Sequence, residues 1–279
     1  MTNYLTKGQL VNVLKRCGIK KGDIVLLHTD ISKIGKLKGT LKEQVELYLF
    51  AVKKVLGNKG TIVVPSYYYD YARKKKSFDV VKTAPGNEVG LFAKFFFRQK
   101  RITRSLNPLT SLAASGRKSK YICGGYTASS YGVDSPFERL TKLNAKMVFA
   151  GVDCRRMTYA HYVEFMVGVP HAYNKLFDVP IYRNREKINL PVCNQVRYLE
   201  HLNHSVIYDD VGNTKKFEKA LKSYKKSFQA PKAEAPKDPF LAHKSPFPLL
   251  YQSSARASRP SGAPCPRAHS PAGSPSPHS

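Results

Sequence analysis

His161 and Glu164 stand three residues apart in Thr158-Tyr159-Ala160-His161-Tyr162-Val163-Glu164, so on a helix they share one face. A carboxylate beside an imidazole raises its basicity and can fix its tautomer, which a general base needs. The same pair also suits a core histidine satisfied by a neighbour, or half of a metal site. No second His or Cys stands nearby at ligand spacing, so no metal is expected. Two other segments could handle an anion. His28-Thr29-Asp30-Ile31-Ser32-Lys33-Ile34-Gly35 follows an aliphatic run, and a turn of hydroxyl residues and Gly offers N–H donors to a phosphate. Arg104-Ser105-Leu106-Asn107-Pro108-Leu109-Thr110-Ser111 sets a guanidinium among hydroxyls, and that planar fork grips phosphate or carboxylate. Taken alone, the first also reads as an ordinary strand-to-helix turn and the second as a solvated loop.

These segments need a scaffold, and the pattern around them supplies one. Ile24-Val25-Leu26-Leu27, bounded by Gly22-Asp23, reads as a buried strand that delivers the first turn. Thr40 and Glu43 form a capping box, opening a helix with Val45, Leu49, Val52 and Leu56 on one face. Gly57 and Gly60 end that helix before a second strand at Thr61-Ile62-Val63-Val64. A helix is expected near Asn87–Phe97, followed by a loop through Arg104 to Thr110. Ser135-Pro136-Phe137-Glu138 is another helix start, Met147-Val148-Phe149-Ala150 another strand, and a helix from about Thr158 to Val167 carries the His-Glu pair. Strands separated by helices predict an α/β fold: a layered mixed, largely parallel sheet flanked by helices.

The chain has 279 residues, of which 42% are hydrophobic, so it can bury a substantial core. Its 47 Lys and Arg against 19 Asp and Glu suit polyanions, and equally suit a merely Lys-coated surface. Five cysteines (Cys17, Cys123, Cys154, Cys193, Cys265), odd in number and without C-x-x-C spacing, favour a reducing compartment. No apolar run approaches the roughly 20 residues of a membrane span, and the first residues lack a signal-peptide core. A cytoplasmic protein with no membrane partner is expected. Residues 1–228 read as one α/β domain, its C-terminal part incomplete. Residues 229–279 turn into Pro, Ala and Ser without period and read as a disordered tail. A basic nucleic-acid-binding protein is the competing class, but no helix-turn-helix, zinc-finger or RNA-recognition pattern accompanies the charge.

In this order the segments resemble the aminoglycoside 3-N-acetyltransferase family. The resemblance runs from about Leu10 to Phe177. It rests on Gly22–Thr29, Gly57–Pro65, Arg104-Ser105 with Pro108 and Ser111, Gly132 with Ser135-Pro136, and Thr158 with His161-Tyr162 and Glu164. It implies acetyl-CoA as donor and a primary amine of an amino sugar as acceptor. It places His28, Thr29, Asp30, Ser32, Lys33, Ile34, Gly35, Arg104, Ser105 and Ser111 on the coenzyme side. His161 becomes the general base, with Glu164 orienting it or pairing with the substrate ammonium. Asn107 stands where the family has the histidine of a His-Pro pair, Thr29-Asp30 replaces two serines, and Ser129 replaces a histidine of many drug-modifying members. The acceptor is therefore an aminoglycoside or, as in the polysaccharide-cluster branch that Thr158–Phe177 resembles, a nucleotide-linked amino sugar. The resemblance also admits a homodimer, and the altered C-terminus admits an inactive relative.

Overall fold

The computed structural model describes residues 4–35, 37–127, 129–198, 215–216, 219, 228–229 and 249–252. Its centre is three parallel strands: β1 (Ile24–Thr29) lies between β2 (Thr61–Pro65) and β6 (Lys146–Ala150), in register Val25 to Ile62 and Val25 to Lys146. Val25, Leu26, Leu27, Val63, Val64 and Val148 are all buried. A strand covered on both faces can bury every side chain, which is why these segments read as unbroken aliphatic runs.

The flanks are antiparallel. Beyond β2 lie β5 (Leu112–Gly116) and β4 (Thr103–Arg104). Gly116 has φ +127°, and a Cβ there would strike the Gly60 carbonyl oxygen, so β5 crosses too close to β2 for any side chain. Beyond β6 lie β12 (Leu249–Gln252) and β11 (Phe228–Gln229), completing seven strands in the order β11-β12-β6-β1-β2-β5-β4. Residues 249–252 thus depart from the expected disordered tail: Leu249-Leu250-Tyr251 is an apolar run that satisfies the unpaired edge of β6. Residues 230–248 and 253–279 lie outside the described residues.

Helices close the layers. α1 (Lys7–Arg16) packs on α2 (Leu41–Leu56), and α2 opens with the expected box: Glu43 N–H donates to Thr40 Oγ1 and Thr40 N–H to a Glu43 oxygen 2.6 Å away. Gly57 ends α2 at φ 63°. α4 spans only Leu91–Phe97, capped by Gly90, shorter than the expected helix from Asn87. α6 (Pro136–Lys142) starts on Ser135, whose hydroxyl accepts the Glu138 N–H. The Gly22-Asp23 dipeptide also has a structural task. Asp23 Oδ2 accepts from Lys20 N–H and from the buried Lys146 Nζ, both at 2.6 Å, and Lys146 Nζ also donates to Gly18 O at 2.8 Å.

A second, smaller core is separate from that of the main sheet. It comprises Tyr71, Phe78, Leu106, Leu109, Ile181 and Val192, beside a small sheet of β3 (Phe78–Asp79), β8 (Ile181–Arg183) and β9 (Glu186–Ile188). The hairpin-like pair β7 (Ala172–Phe177) and β10 (Val192–Arg197) runs antiparallel, with Ala172 opposite Arg197. No helix among the described residues is long and apolar enough to cross a membrane.

Candidate active site

α7 (Tyr159–Val167) ends at Gly168, in the left-handed conformation, and carries the His-Glu pair into a cavity of about 310 Å³. His161 Nδ1 lies 2.8 Å from Glu164 Oε2, the contact that their spacing implied. With Glu164 as a carboxylate, Nδ1 is the donor, so in the neutral ring the basic lone pair sits on Nε2. The other carboxylate oxygen faces the hairpin: Arg197 Nη2 is 3.6 Å and His171 Nε2 3.9 Å from Glu164 Oε1. The Tyr131 ring lies 5.9 Å from the imidazole. Tyr67 Oη donates to Thr158 Oγ1 at 2.6 Å, and its ring stacks on Tyr69 at 5.9 Å. Burial, reinforced by Tyr69, holds the Tyr67 phenol well above its ordinary pKa, so it stays a donor at neutral pH.

The cavity walls come from segments far apart in the chain. Tyr69 and Arg73 follow β2, Tyr131 precedes α6, and Arg197 ends β10. Asn107 ties two walls together. Its amide donates to Ser130 Oγ (2.9 Å) and Cys193 O (3.2 Å), and its Oδ1 accepts the Leu109 N–H (3.0 Å). His171, Arg197, Arg73 and Tyr131 were not singled out in the sequence, because no local spacing links them to His161.

The anion-binding segments sit elsewhere: none of residues 28–35, nor Arg104, Ser105 or Ser111, lines this cavity. Arg104 is 5% exposed, and its fork is spent on the carbonyls of Ser66 and Thr83, with Nε on Ser111 Oγ at 3.3 Å. Ser111 Oγ donates to the Ser66 carbonyl and Ser105 Oγ accepts Leu112 N–H. All three residues thus have partners within the protein. At the carboxyl end of β1, Ser32, Lys33 and Gly35 are exposed, while Ile31 and Ile34 turn inward. Asp30 caps the short 3₁₀ turn Ile31–Lys33 by accepting Ser32 N–H (3.2 Å) and Ser32 Oγ (2.6 Å), and pairs with Lys33 at 3.2 Å.

His28 is buried against Phe149, rings parallel at 5.4 Å, and its Nε2 has no hydrogen-bond partner among the described residues. Burial pushes its pKa down to about 4 from an ordinary 6.5. The fold therefore holds a neutral imidazole that the unfolded chain protonates, so stability is full above pH 6.5 and falls as pH drops from there towards 4. A shift of that size costs on the order of 3 kcal/mol at acid pH. Melting temperature followed from pH 7.5 to 4 should show this fall, and His28→Gln should flatten it; an unchanged slope would assign acid lability to other groups.

No group of three or more His, Cys, Asp or Glu among the described residues could hold a metal ion. Comparison with known proteins then decides the family: the model for aminoglycoside 3-N-acetyltransferases matches residues 26–235, three-quarters of the chain. The chain belongs to that family. It is accordingly an acyltransferase. Aminoglycoside N(3)-acetyltransferase III of Pseudomonas aeruginosa is 23% identical over 199 residues, covering 66% of this chain and 72% of that protein. Aminoglycoside N(3)-acetyltransferase VII of Streptomyces paromomycinus is also 23% identical, over 66% of this chain and 68% of its own. Among solved structures, aminoglycoside acetyltransferase AAC(3)-Xa shares the fold with TM-score 0.71 at 19% identity, over 90% of this chain and 89% of that one. AAC-IIIb, solved as a binary complex with CoASH, gives 0.67 at 17% identity over 91% and 93%. The mixed sheet with its parallel centre is the acetyltransferase fold of these neighbours.

Proposed function

We propose that the protein transfers the acetyl group of acetyl-CoA to a primary amine of an aminoglycoside or related amino sugar, with His161 as general base. The 2.8 Å contact between His161 Nδ1 and Glu164 in the cavity carries this reading. An alkyl ammonium has no lone pair and cannot attack a thioester. The ammonium first gives one proton to solvent, and Nε2 takes a second as the free amine nitrogen adds to the acetyl carbonyl. The C–S bond then breaks, and the leaving thiolate receives a proton from the imidazolium. Positioned base catalysis of this kind contributes about 10²–10⁴-fold. Glu164 holds the tautomer and stabilises the cation that forms transiently.

Direct attack also fits the cysteines. None of the described ones lines the cavity, Cys17, Cys123 and Cys154 are buried, and burial pushes the thiols of Cys17 and Cys123 up to about 12. A protonated, buried thiol is a poor acyl acceptor. Free thiols suit a reducing compartment, and we place the enzyme in the cytoplasm. The coenzyme's phosphates are assigned to the exposed Ser32, Lys33 and Gly35 at the carboxyl end of β1, where α/β sheets take ligands.

Acetyl-CoA at a hundred times its dissociation constant should stabilise the fold by about 2.7 kcal/mol. Thermal melting with and without the coenzyme reads this directly. A cooperative melt that does not move would remove the acetyl-transfer reading.

A further inference from the structure

We propose that the amino sugar accepted by this enzyme carries an anionic group, a phosphate or diphosphate ester, held by Arg73 and Arg197. This rests on the acetyl-transfer reading and narrows its acceptor.

The charge lining the cavity is the observation that carries it. Among the described residues that line it the one carboxylate is Glu164, set against two guanidinium groups, Arg73 and Arg197. Both oxygens of Glu164 are engaged, Oε2 by His161 and Oε1 by Arg197 and His171. An acceptor with several ammonium groups needs several carboxylates to replace the water it gives up, because burying an unpaired charge is costly. Among the described residues of this cavity it would meet none uncommitted. Acidic residues nearby in the chain are also spent: Asp70 pairs with Lys74 (3.2 Å) and Lys76 (3.5 Å), and Glu88 accepts the Tyr69 N–H.

Arg73 is presented differently. Its guanidinium lies over the Tyr69 ring, 5.2 Å from the centroid, and no carboxylate among the described residues lies within ion-pair distance. A guanidinium laid on an aromatic face keeps its edge donors for a ligand, and that planar fork matches phosphate geometry. Tyr69 and Tyr131 line the same cavity. The coenzyme also carries phosphates, but the pantetheine arm separates them from its thioester.

The test is equilibrium titration of the full chain with glucosamine 1-phosphate, glucosamine and kanamycin, together with Arg73→Glu and Arg73→Lys. Glucosamine 1-phosphate is expected to bind at least about tenfold more tightly than glucosamine and more tightly than kanamycin, with affinity falling as salt rises. Arg73→Glu should erase that preference, and Arg73→Lys should restore part of it. Arg73 is exposed, so both variants should fold, and their melting checks this. Equal binding of the two sugars, tighter binding of kanamycin, or an Arg73→Glu variant that loses affinity for acetyl-CoA instead would overturn the proposal. Thiol release from acetyl-CoA is scored separately. Binding that follows the phosphate without thiol release keeps the anion subsite and removes the transferase reading.

Discussion

Replacing His161 with alanine is expected to lower kcat for acetyl transfer by about 10²–10⁴-fold while the protein keeps its fold. The side chain is 39% exposed, so truncation opens no closed cavity and melting should hardly move. The loss should fall on kcat and kcat/KM together, because the base acts only as the amine proton leaves. Glu164→Gln is the informative companion. Its amide can donate to Nδ1, which would move the ring proton to Nε2 and take the lone pair away from the substrate. It also uncouples Arg197 and His171, which now face the same carboxylate. Steady-state thiol release across pH 6–9 reads both effects. Wild-type turnover by His161→Ala would end the general-base assignment.

Arg104→Met should destabilise the protein by about 3 kcal/mol without touching the cavity lining. The guanidinium sits between Phe78 of the smaller core (4.4 Å) and Phe97, which packs on the larger one (4.8 Å), so it joins the two. Methionine fills much of the volume but donates nothing. The Thr83 carbonyl then loses this partner and the Ser66 carbonyl keeps only the Ser111 hydroxyl, at about 1.5–3 kcal/mol for each hydrogen bond to a charged group. Arg104→Lys should rescue little, since one ammonium cannot reproduce a fork that reaches Ser66, Thr83 and Ser111 at once. Urea unfolding measures the change, and a midpoint within error of wild type would show that the fork is dispensable.

The three parallel strands were legible because their physics is local. A strand buried on both faces needs an aliphatic run, and Ile24–Leu27, Thr61–Val64 and Met147–Ala150 have one. The capping boxes were legible for the same reason, since Thr40 and Glu43 satisfy each other within one helical turn. The His161–Glu164 contact follows from helical spacing alone. The antiparallel flanks were harder. β5 is Leu-Ala-Ala-Ser-Gly, small residues chosen by close approach to β2 rather than by strand propensity, and β12 lies in a segment of tail-like composition.

Arg104 shows what a local reading leaves out. A guanidinium among hydroxyls suggests an anion site, and only the fold shows that Ser66 and Thr83, remote in sequence, present carbonyls that consume it. The same holds for the sign of charge in the cavity. A strongly basic sequence says that cations abound; it cannot say that Arg73 and Arg197 share a wall with His161 and that Glu164 is already engaged. Sequence by itself determined the parallel strands, the helix starts and the family, because each depends on neighbours within a few positions or on motifs in linear order. Which polar groups face the acceptor and which are turned inward was decided only in three dimensions, since burial and pairing depend on residues that chain order keeps far apart.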